Sequence, residues 1–148
     1  MVFIGTYTHT FDAKGRVFVP KKYLHDLTTP TERVVYVGIG MDPCVMLFSK
    51  PHFDALSQQI IDLPQTDPAA RNYTQIFFEN TFDVEVDSAG RILIPEVLRE
   101  HANMKMPGGV VFAGAGTSVT IWDPTIHATH RAGTKPNYAI DAAKAGGR

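Results

Sequence analysis

The chain has 148 residues, and its 14 Lys and Arg residues against 15 Asp and Glu residues give a formal net charge of −1. This length suits one domain or two very small domains in contact, and an apolar content of 44% excludes wholesale disorder. No apolar run is long enough for a transmembrane helix, and we expect no signal peptide and no membrane partner. The single Cys44 cannot form an internal disulfide and indicates a reducing compartment. The balanced total also argues against a protein that binds nucleic acid through overall basicity.

The near-neutral total hides an uneven distribution of charge along the chain. Residues 1–50 carry six basic and four acidic residues, residues 51–100 carry three and nine, and residues 101–148 carry five and two. The three segments therefore have net charges of +2, −6 and +3. The acidic excess of the middle segment is typical of solvated helix and strand surface. A local basic surface is therefore compatible with the near-neutral total.

The most informative feature of the sequence is an internal repeat. Residues 12–20 read Asp-Ala-Lys-Gly-Arg-Val-Phe-Val-Pro, and residues 87–95 read Asp-Ser-Ala-Gly-Arg-Ile-Leu-Ile-Pro, at an offset of 75 residues. Two later runs also recur: the Val-Val-aromatic run that begins at Val34 returns at Val110, and Val45–Phe48 returns as Val119–Trp122. Two halves of about 45 residues are each marginal as independent cores, so we expect them to fold against each other.

Each half predicts the same order of elements, namely strand, turn, strand, helix, strand, strand. In the first half the strands are expected at 8–11, at 17–19, from Val34 and at 45–48, with a helix at 21–27. In the second half they are expected at 82–86, at 92–94, from Val110 and at 119–122, with a helix at 96–102. Pro20 and Pro95 end the short inner strands and fit the first turn of the helix that follows.

The segment between the two halves and the segment after the second half differ in composition from the repeat. Ser49 before Pro51 predicts a capped helix to about Asp62, and Asp67-Pro68 predicts another helix to about Asn80. We therefore divide the chain into four parts: a first half at 5–52, a helical connector at 53–80, a second half at 81–126 and a small, polar, mobile tail at 127–148.

The repeated Asp-x-x-Gly-Arg segment has the residues of a tight turn. Asp12 and Asp87 can accept hydrogen bonds from backbone N–H groups of the turn, and Gly15 and Gly90 tolerate a positive φ. These four residues are therefore predicted to shape two equivalent hairpin turns, which a pseudo-two-fold arrangement would place on one face.

Two arginines, Arg16 and Arg91, leave these turns. A guanidinium group presents a planar fork that fits phosphate oxygens and guanine edges, and Lys14 adds a positive charge to the first turn. The pattern therefore favours DNA binding by Arg16, Arg91 and Lys14. The same spacing is also compatible with a purely structural role, in which each Asp and Arg close the turn as a local ion pair.

An enzymatic interpretation of the repeat is weaker. Asp12 and Asp87 could form an aspartic dyad, but such a loop needs a small hydroxyl residue and a glycine directly after each Asp. Asp12-Ala13-Lys14 has neither. The six His residues are scattered and only one Cys is present, so no zinc-ligand spacing exists. We therefore predict no enzyme, no catalytic residue, no metal and no cofactor.

The combination of motifs resembles the MraZ family of the AbrB/SpoVT superfamily of bacterial DNA-binding proteins. The resemblance runs from about Met1 to Trp122 and is carried by the following segments: Gly5-Thr-Tyr-x-His-Thr-Phe-Asp-Ala-Lys-Gly-Arg16, Asp42-Pro-Cys-Val-Met-Leu-Phe48, Leu63-Pro-x-x-Asp-Pro-x-x-Arg71 and Gly90-Arg-Ile-Leu-Ile-Pro95. The set is specific, although no single motif is.

This resemblance implies an α+β fold, mainly β, in which two tandem AbrB-like halves form a swapped-hairpin β-barrel. It also implies a ring-shaped homo-oligomer in the cytoplasm and nucleoid. Such a ring represses the division and cell-wall gene cluster by binding double-stranded DNA at direct repeats in the promoter. The family's DNA contacts map onto Arg16 and Arg91, with Lys14 beside the first and Ala89 at the equivalent second position. Residues 127–148 lack the aromatic-rich final helix that family members usually have.

Two other interpretations remain open at this point. One is a sporulation-type or antitoxin-type AbrB regulator, which usually holds one copy of the motif and completes the barrel by dimerising. The internal duplication argues against it. The other is an oligomeric scaffold protein that does not bind DNA, which the sequence by itself does not exclude.

Overall fold

A computed structural model of the chain describes residues 1–146. Its first half contains β1 (Thr6–Phe11), β2 (Arg16–Phe18), α1 (Lys21–Leu27), β3 (Val34–Ile39) and β4 (Val45–Phe48). The connector contains α2 (Lys50–Ile61) and α3 (Pro68–Glu79). The second half contains β5 (Thr81–Glu85), β6 (Arg91–Leu93), α4 (Glu96–His101), β7 (Gly108–Gly114) and β8 (Val119–Trp122). After it come α5 (Pro124–Thr134), a 3₁₀ turn (Lys135–Asn137) and α6 (Tyr138–Lys144).

The two halves exchange their outer strands. A six-stranded antiparallel sheet has the order β1-β7-β8-β4-β3-β5, so β1 of the first half pairs with β7 and β5 of the second half pairs with β3. The pairs β4–β8 and β2–β6 also join one strand from each half, whereas β3–β4 and β7–β8 pair within a half. This pattern gives the pseudo-two-fold symmetry that the repeat predicts. The expected α+β fold with two tandem halves is confirmed.

The two-stranded β2–β6 ribbon connects the edges of the large sheet. Asp12 N donates to Arg16 O at 2.9 Å, and Asp87 N donates to Arg91 O at 2.9 Å, so a tight hairpin joins each ribbon strand to its edge strand, β1 or β5. The ribbon therefore closes the sheet into a barrel, as the strand exchange predicts.

One hydrophobic core is shared by both halves. Val17 of β2 lies opposite Ile92 of β6, and each is 1% exposed. The same cluster contains large side chains from the other elements of both halves, including Phe11, Tyr23, Val35, Leu98, Phe112 and Ile121. Because each half contributes strands to the other's sheet and side chains to one core, the halves stabilise each other.

The connector forms the two predicted helices. Ser49 Oγ accepts a hydrogen bond from His52 N at 3.4 Å at the start of α2, and the Asp67 carboxylate accepts one from Ala69 N at 3.2 Å at the start of α3. Ser and Asp are strongly preferred at these positions because they satisfy backbone donors without an intrahelical partner. The helices pack in a second cluster that contains Phe48, Ile60 and Phe77.

The C-terminal segment differs from the expected mobile tail at 127–148. Residues 124–144 are almost entirely helical, and residues 147–148 of that prediction lie outside the described part of the chain. The Asp123 carboxylate Oδ2 accepts hydrogen bonds from Thr125 N and Ile126 N, both at 3.1 Å, and Pro124 occupies the first turn of α5. A strong N-cap followed by proline is a good helix start, so Asp123-Pro124 is the local signal for this helix.

Helix α5 packs against Trp122, which is 1% exposed. The rings of His127 and His130 lie with their centroids 5.4 and 5.1 Å from the indole, and the Arg131 guanidinium lies over it at 5.2 Å. His130 Nε2 also lies 3.4 Å from Asp42 Oδ1. Ile126 of α5 also packs against the cluster that contains Trp122. Because the other contact residues are polar, the hydrophobic pattern of the sequence gives this packing face only one apolar residue. Within residues 1–146, no helix has the length and apolar character needed to cross a membrane.

We predict that Asp123→Ala weakens α5 by about 1 kcal/mol, in a typical range of about 0.5–2 kcal/mol, because two backbone donors lose their acceptor. Far-UV circular dichroism and urea unfolding measure the loss. Asp123→Asn is the matched control, since Asn retains the side-chain acceptor and caps about as well. Equal losses in the two variants would contradict a capping role.

Candidate nucleic-acid interface

The first repeated turn joins β1 to β2 around Asp12. The carboxylate Oδ1 accepts hydrogen bonds from Lys14 N and Arg16 N, both at 2.9 Å. Gly15 N donates to Asp12 O at 3.2 Å, and Gly15 has a φ of +82°. This positive φ is accessible to glycine without a steric penalty. The turn is therefore held by its own backbone and one carboxylate, which is the arrangement that the spacing predicts.

The second turn, between β5 and β6, has the same geometry. Asp87 Oδ1 accepts from Ala89 N at 3.0 Å and from Arg91 N at 2.8 Å. Gly90 N donates to Asp87 O at 3.0 Å, with a φ of +90° at Gly90. Two sequence segments 75 residues apart thus fold into the same local structure.

Each turn contains an Asp–Arg ion pair. Arg16 Nε donates to Asp12 Oδ2 at 2.7 Å, and Arg91 Nε donates to Asp87 Oδ2 at 2.9 Å. The backbone N–H of the same arginine is the largest cause that lowers the pKa of each carboxyl group, with the arginine side chain adding to it. Both carboxylates are therefore held in the ionised form. This direction is opposite to the raised pKa that one member of a proton-sharing aspartic dyad requires.

The turn-closing ion pairs that the sequence allows are thus present, but they use only part of each guanidinium group. The ion pairs use Nε, and within residues 1–146 the Nη groups of Arg16 and Arg91 donate no hydrogen bond. The two side chains have relative exposures of 35% and 29%. Each arginine is therefore held in place at Nε and presents further donors for an external acceptor.

The ribbon brings the two turns together. Arg91 Nη1 lies 3.9 Å from Asp12 Oδ2. The backbone connects them as well, since Val19 N donates to Gly90 O at 3.1 Å and Ile94 N donates to Gly15 O at 3.2 Å. Each turn is thus supported by the strand end of the opposite half, and the two arginines are neighbours on one surface.

The outer face of the ribbon carries two exposed apolar residues beside the arginines. Arg16 lies opposite Leu93, and Phe18 lies opposite Arg91, so all four share the face that points away from buried Val17. Phe18 is 48% exposed and Leu93 is 50% exposed. The Arg91 guanidinium lies 5.8 Å from the centre of the Phe18 ring. The period-2 alternation of the repeat could have identified Phe18 and Leu93 as exposed residues. We call Arg16, Phe18, Arg91 and Leu93 together the ribbon face.

Lys14 is exposed at the tip of the first turn, and Ala89 occupies the matching place in the second. The first turn has another cation that sequence reasoning missed, Arg99 of α4. A Cβ atom on Gly15 would lie 3.4 Å from Arg99 Cζ. Arg99 Nε is buried without a hydrogen-bond partner within residues 1–146. Only the strand exchange brings α4 to this turn, so no local signal marks Arg99.

The comparisons with known proteins identify the family of the chain. A family model described as "MraZ protein, putative antitoxin-like" matches residues 2–76 and 77–135, one match for each half. The chain belongs to the MraZ family. It is similar to the "Transcriptional regulator MraZ" of Carboxydothermus hydrogenoformans, with 36% identity over 143 residues that cover 97% of this chain and 96% of the relative.

Two further relatives have the same name. In Caldanaerobacter subterraneus subsp. tengcongensis the identity is 38% over 123 residues, which cover 83% of this chain and 82% of the relative. In Acetivibrio thermocellus it is 38% over 122 residues, which cover 82% and 81%. The match to the MraZ family therefore extends over both halves and includes both Asp-x-x-Gly-Arg turns.

We predict that Gly15→Ala destabilises the protein more than Gly90→Ala. Both substitutions place an L side chain at a positive φ, which costs about 1–2 kcal/mol. The new Cβ at position 15 would also lie 3.0 Å from Met106 Sδ, whereas at position 90 the nearest atom is Leu24 Cδ2 at 3.7 Å. Urea unfolding measures the difference. Gly133→Ala is the control, because its Cβ would meet nothing within 4 Å in α5 and alanine favours a helix. Equal losses in the free energy of unfolding at positions 15 and 90 would show that the Met106 side chain moves aside without a cost.

Proposed function

We propose that this chain is a transcriptional regulator that binds double-stranded DNA through its ribbon face and represses the promoter that it occupies. The observation that carries the proposal is the pair of neighbouring arginines, each held at Nε by an Asp and each with Nη groups that donate no hydrogen bond within residues 1–146. Membership of the MraZ family, whose similar members are named transcriptional regulators, supports it.

The chemistry of the ribbon face fits DNA. A two-stranded β-ribbon is narrow enough to enter the major groove, where a guanidinium group can donate two hydrogen bonds to guanine O6 and N7. The Asp partners reduce the conformational entropy that Arg16 and Arg91 would lose on binding, because both side chains are already held at Nε. Exposed Phe18 and Leu93 are suited to contact thymine methyl groups. Lys14 would contribute a phosphate contact beside the first turn.

We further propose that the working unit is a ring-shaped homo-oligomer that contacts successive direct repeats. A single chain with a net charge of −1 attracts DNA weakly, whereas linked weak contacts raise avidity by roughly 10²–10⁴. We assign self-association to the exposed apolar residues of the connector, which we call the connector patch: Ile61, Leu63, Tyr73 and Ile76, each 36–53% exposed. The proposed target is the promoter of the division and cell-wall gene cluster, and the proposed location is the cytoplasm and nucleoid.

We predict that Arg16→Ala and Arg91→Ala each weaken binding to promoter fragments with direct repeats by about 1–3 kcal/mol, the worth of one bidentate arginine–base contact. Gel-shift titration measures the affinity, and thermal melting shows whether the variant is folded. Lys50→Ala is the matched control, because Lys50 also forms an exposed ion pair with an acid four residues away, Asp54, at 2.8 Å. Wild-type affinity in a folded Arg16→Ala variant would remove Arg16 from the interface.

The second candidate function is an oligomeric scaffold that does not bind DNA, and the observation that favours it is the use of both arginines in turn ion pairs. We predict that Ile76→Asp dissociates the assembly in native mass spectrometry, because a charge in the connector patch is buried at great cost. Ile140→Asp on α6, where Ile140 is 57% exposed, is the control outside that patch.

The two functions are separated by measuring promoter binding on the same samples. Assemblies that do not bind promoter repeats would support the scaffold. Binding that weakens when Ile76→Asp dissociates the assembly would support the regulator. An assembly that persists in the Ile76→Asp variant would contradict the connector patch as the interface.

A further inference from the structure

A cationic groove lies beside the second turn. It has a volume of about 850 Å³ and runs between helix α1 and Ser88, Ala89 and Gly90 of that turn. Its positively charged lining consists of Lys21 and Lys22, at the start of α1, and Arg33, before β3, all exposed. No Asp or Glu is among the groove-lining residues of the described chain, positions 1–146. We call this feature the α1 groove.

The α1 groove is attached to the second turn by direct contacts between the halves. Arg33 Nη2 donates to Asp87 O at 3.3 Å, and Val19 N, just before α1, donates to Gly90 O at 3.1 Å. A Cβ atom on Gly90 would lie 3.7 Å from Leu24 of α1. These cations are therefore held at the turn that carries Arg91, although they belong to the other half of the chain.

The pseudo-two-fold symmetry supplies an internal comparison. The equivalent groove, about 590 Å³ in volume, lies along α4 and has two acidic and two basic lining residues, Glu96, Glu100, Arg99 and Lys105. Arg99 and Met106 of its lining are neighbours of Gly15 in the first turn. With the offset of 75 residues, Lys21 corresponds to Glu96, Lys22 to Val97 and His25 to Glu100. The grooves beside the two turns are thus built alike and carry different charges.

The difference in the grooves complements the difference in the turns. The first turn carries Lys14 and lies beside a groove in which two glutamates are balanced by Arg99 and Lys105, whereas the second turn carries Ala89 and lies beside the α1 groove, where Lys21, Lys22 and Arg33 meet no carboxylate among the described residues 1–146. The positive charge that Ala89 lacks is therefore supplied to the second turn by α1. Ala89 alone therefore does not make the second turn the weaker DNA contact.

We propose that the α1 groove binds backbone phosphates of the DNA next to the bases contacted by the second turn, with Lys21 and Lys22 as the phosphate ligands and Arg33 beside them. This inference rests on the proposed function and adds a phosphate-binding site to it. An ammonium group binds phosphate as a point charge without regard to sequence, so the α1 groove adds affinity and orientation, and the ribbon face adds specificity.

The test replaces the two lysines with the residues that α4 carries at the equivalent positions, Lys21→Glu with Lys22→Val. Gel-shift titrations across a salt series measure the slope of log K against log salt. We expect weaker binding to all sequences, with the preference for promoter repeats retained, and a slope smaller in magnitude by about 2 because about one unit is lost for each phosphate contact. Lys21→Gln with Lys22→Gln removes the charges without adding an acid, and it is expected to reduce the slope equally.

The reciprocal variant, Glu96→Lys with Val97→Lys, is expected to increase the slope and the affinity, because it places the same charges beside the first turn. Lys50→Gln is the control for loss of a positive charge elsewhere on the surface. An unchanged slope in both Lys21/Lys22 variants, with wild-type promoter binding intact, would overturn this inference and leave the proposed function standing. Absence of promoter binding by the wild-type protein would overturn the proposed function itself.

A phosphorylated small molecule has the same chemistry as a backbone phosphate, and calorimetric titration with ATP and with inorganic phosphate separates the two sources. Binding of ATP that depends on Lys21 and Lys22, together with an unchanged DNA salt slope in their variants, would assign the α1 groove to a small ligand and overturn the DNA assignment. No ATP binding together with the reduced slope would support it.

Discussion

The pairing of β2 with β6 is the constraint on which the rest of the structure depends. Each strand is only three residues long, and within residues 1–146 its ladder partner is the strand of the other half. Their pairing buries Val17 against Ile92 and closes the sheet that the exchanged strands β1 and β5 leave open. The same alternation that directs these two side chains inward directs Arg16 and Arg91 outward. Closing the core and presenting the arginines are therefore consequences of one pairing register.

In the Asp–Arg pairs, the structural role and the DNA-binding role that we propose use different atoms of one side chain. Exposed ion pairs contribute little to stability by themselves, but here the carboxylate also accepts two backbone N–H groups in each turn. Asp12 and Asp87 thus hold both the backbone of the turn and the arginine Nε atom in place. The remaining nitrogens of each arginine are positioned by groups that the protein needs for its own turn geometry.

Duplication has kept the backbone of the two halves and changed the charges on it. Position by position, the second half replaces Lys14 with Ala89 and Leu24 with Arg99. Such exchanges leave the strand pairing intact because these side chains lie outside the core cluster or only partly against it. A pseudo-symmetric protein built this way can present two equivalent turns to DNA with different electrostatic surroundings, which gives an orientation to an otherwise symmetric contact.

The sequence by itself determined what depends on neighbouring residues. The Asp-x-x-Gly-Arg spacing specified both turns, and Ser49 and Asp67 specified the starts of α2 and α3, because these features arise from hydrogen bonds within a few residues. Only the tertiary structure decided that α5 packs against Trp122, since most of the contacts come from His and Arg side chains and Ile126 alone gives no hydrophobic period. The charges beside each turn were decided there as well: the strand exchange places helix α1 against the second turn and α4 against the first, and such long-range contacts have no local signal in the chain.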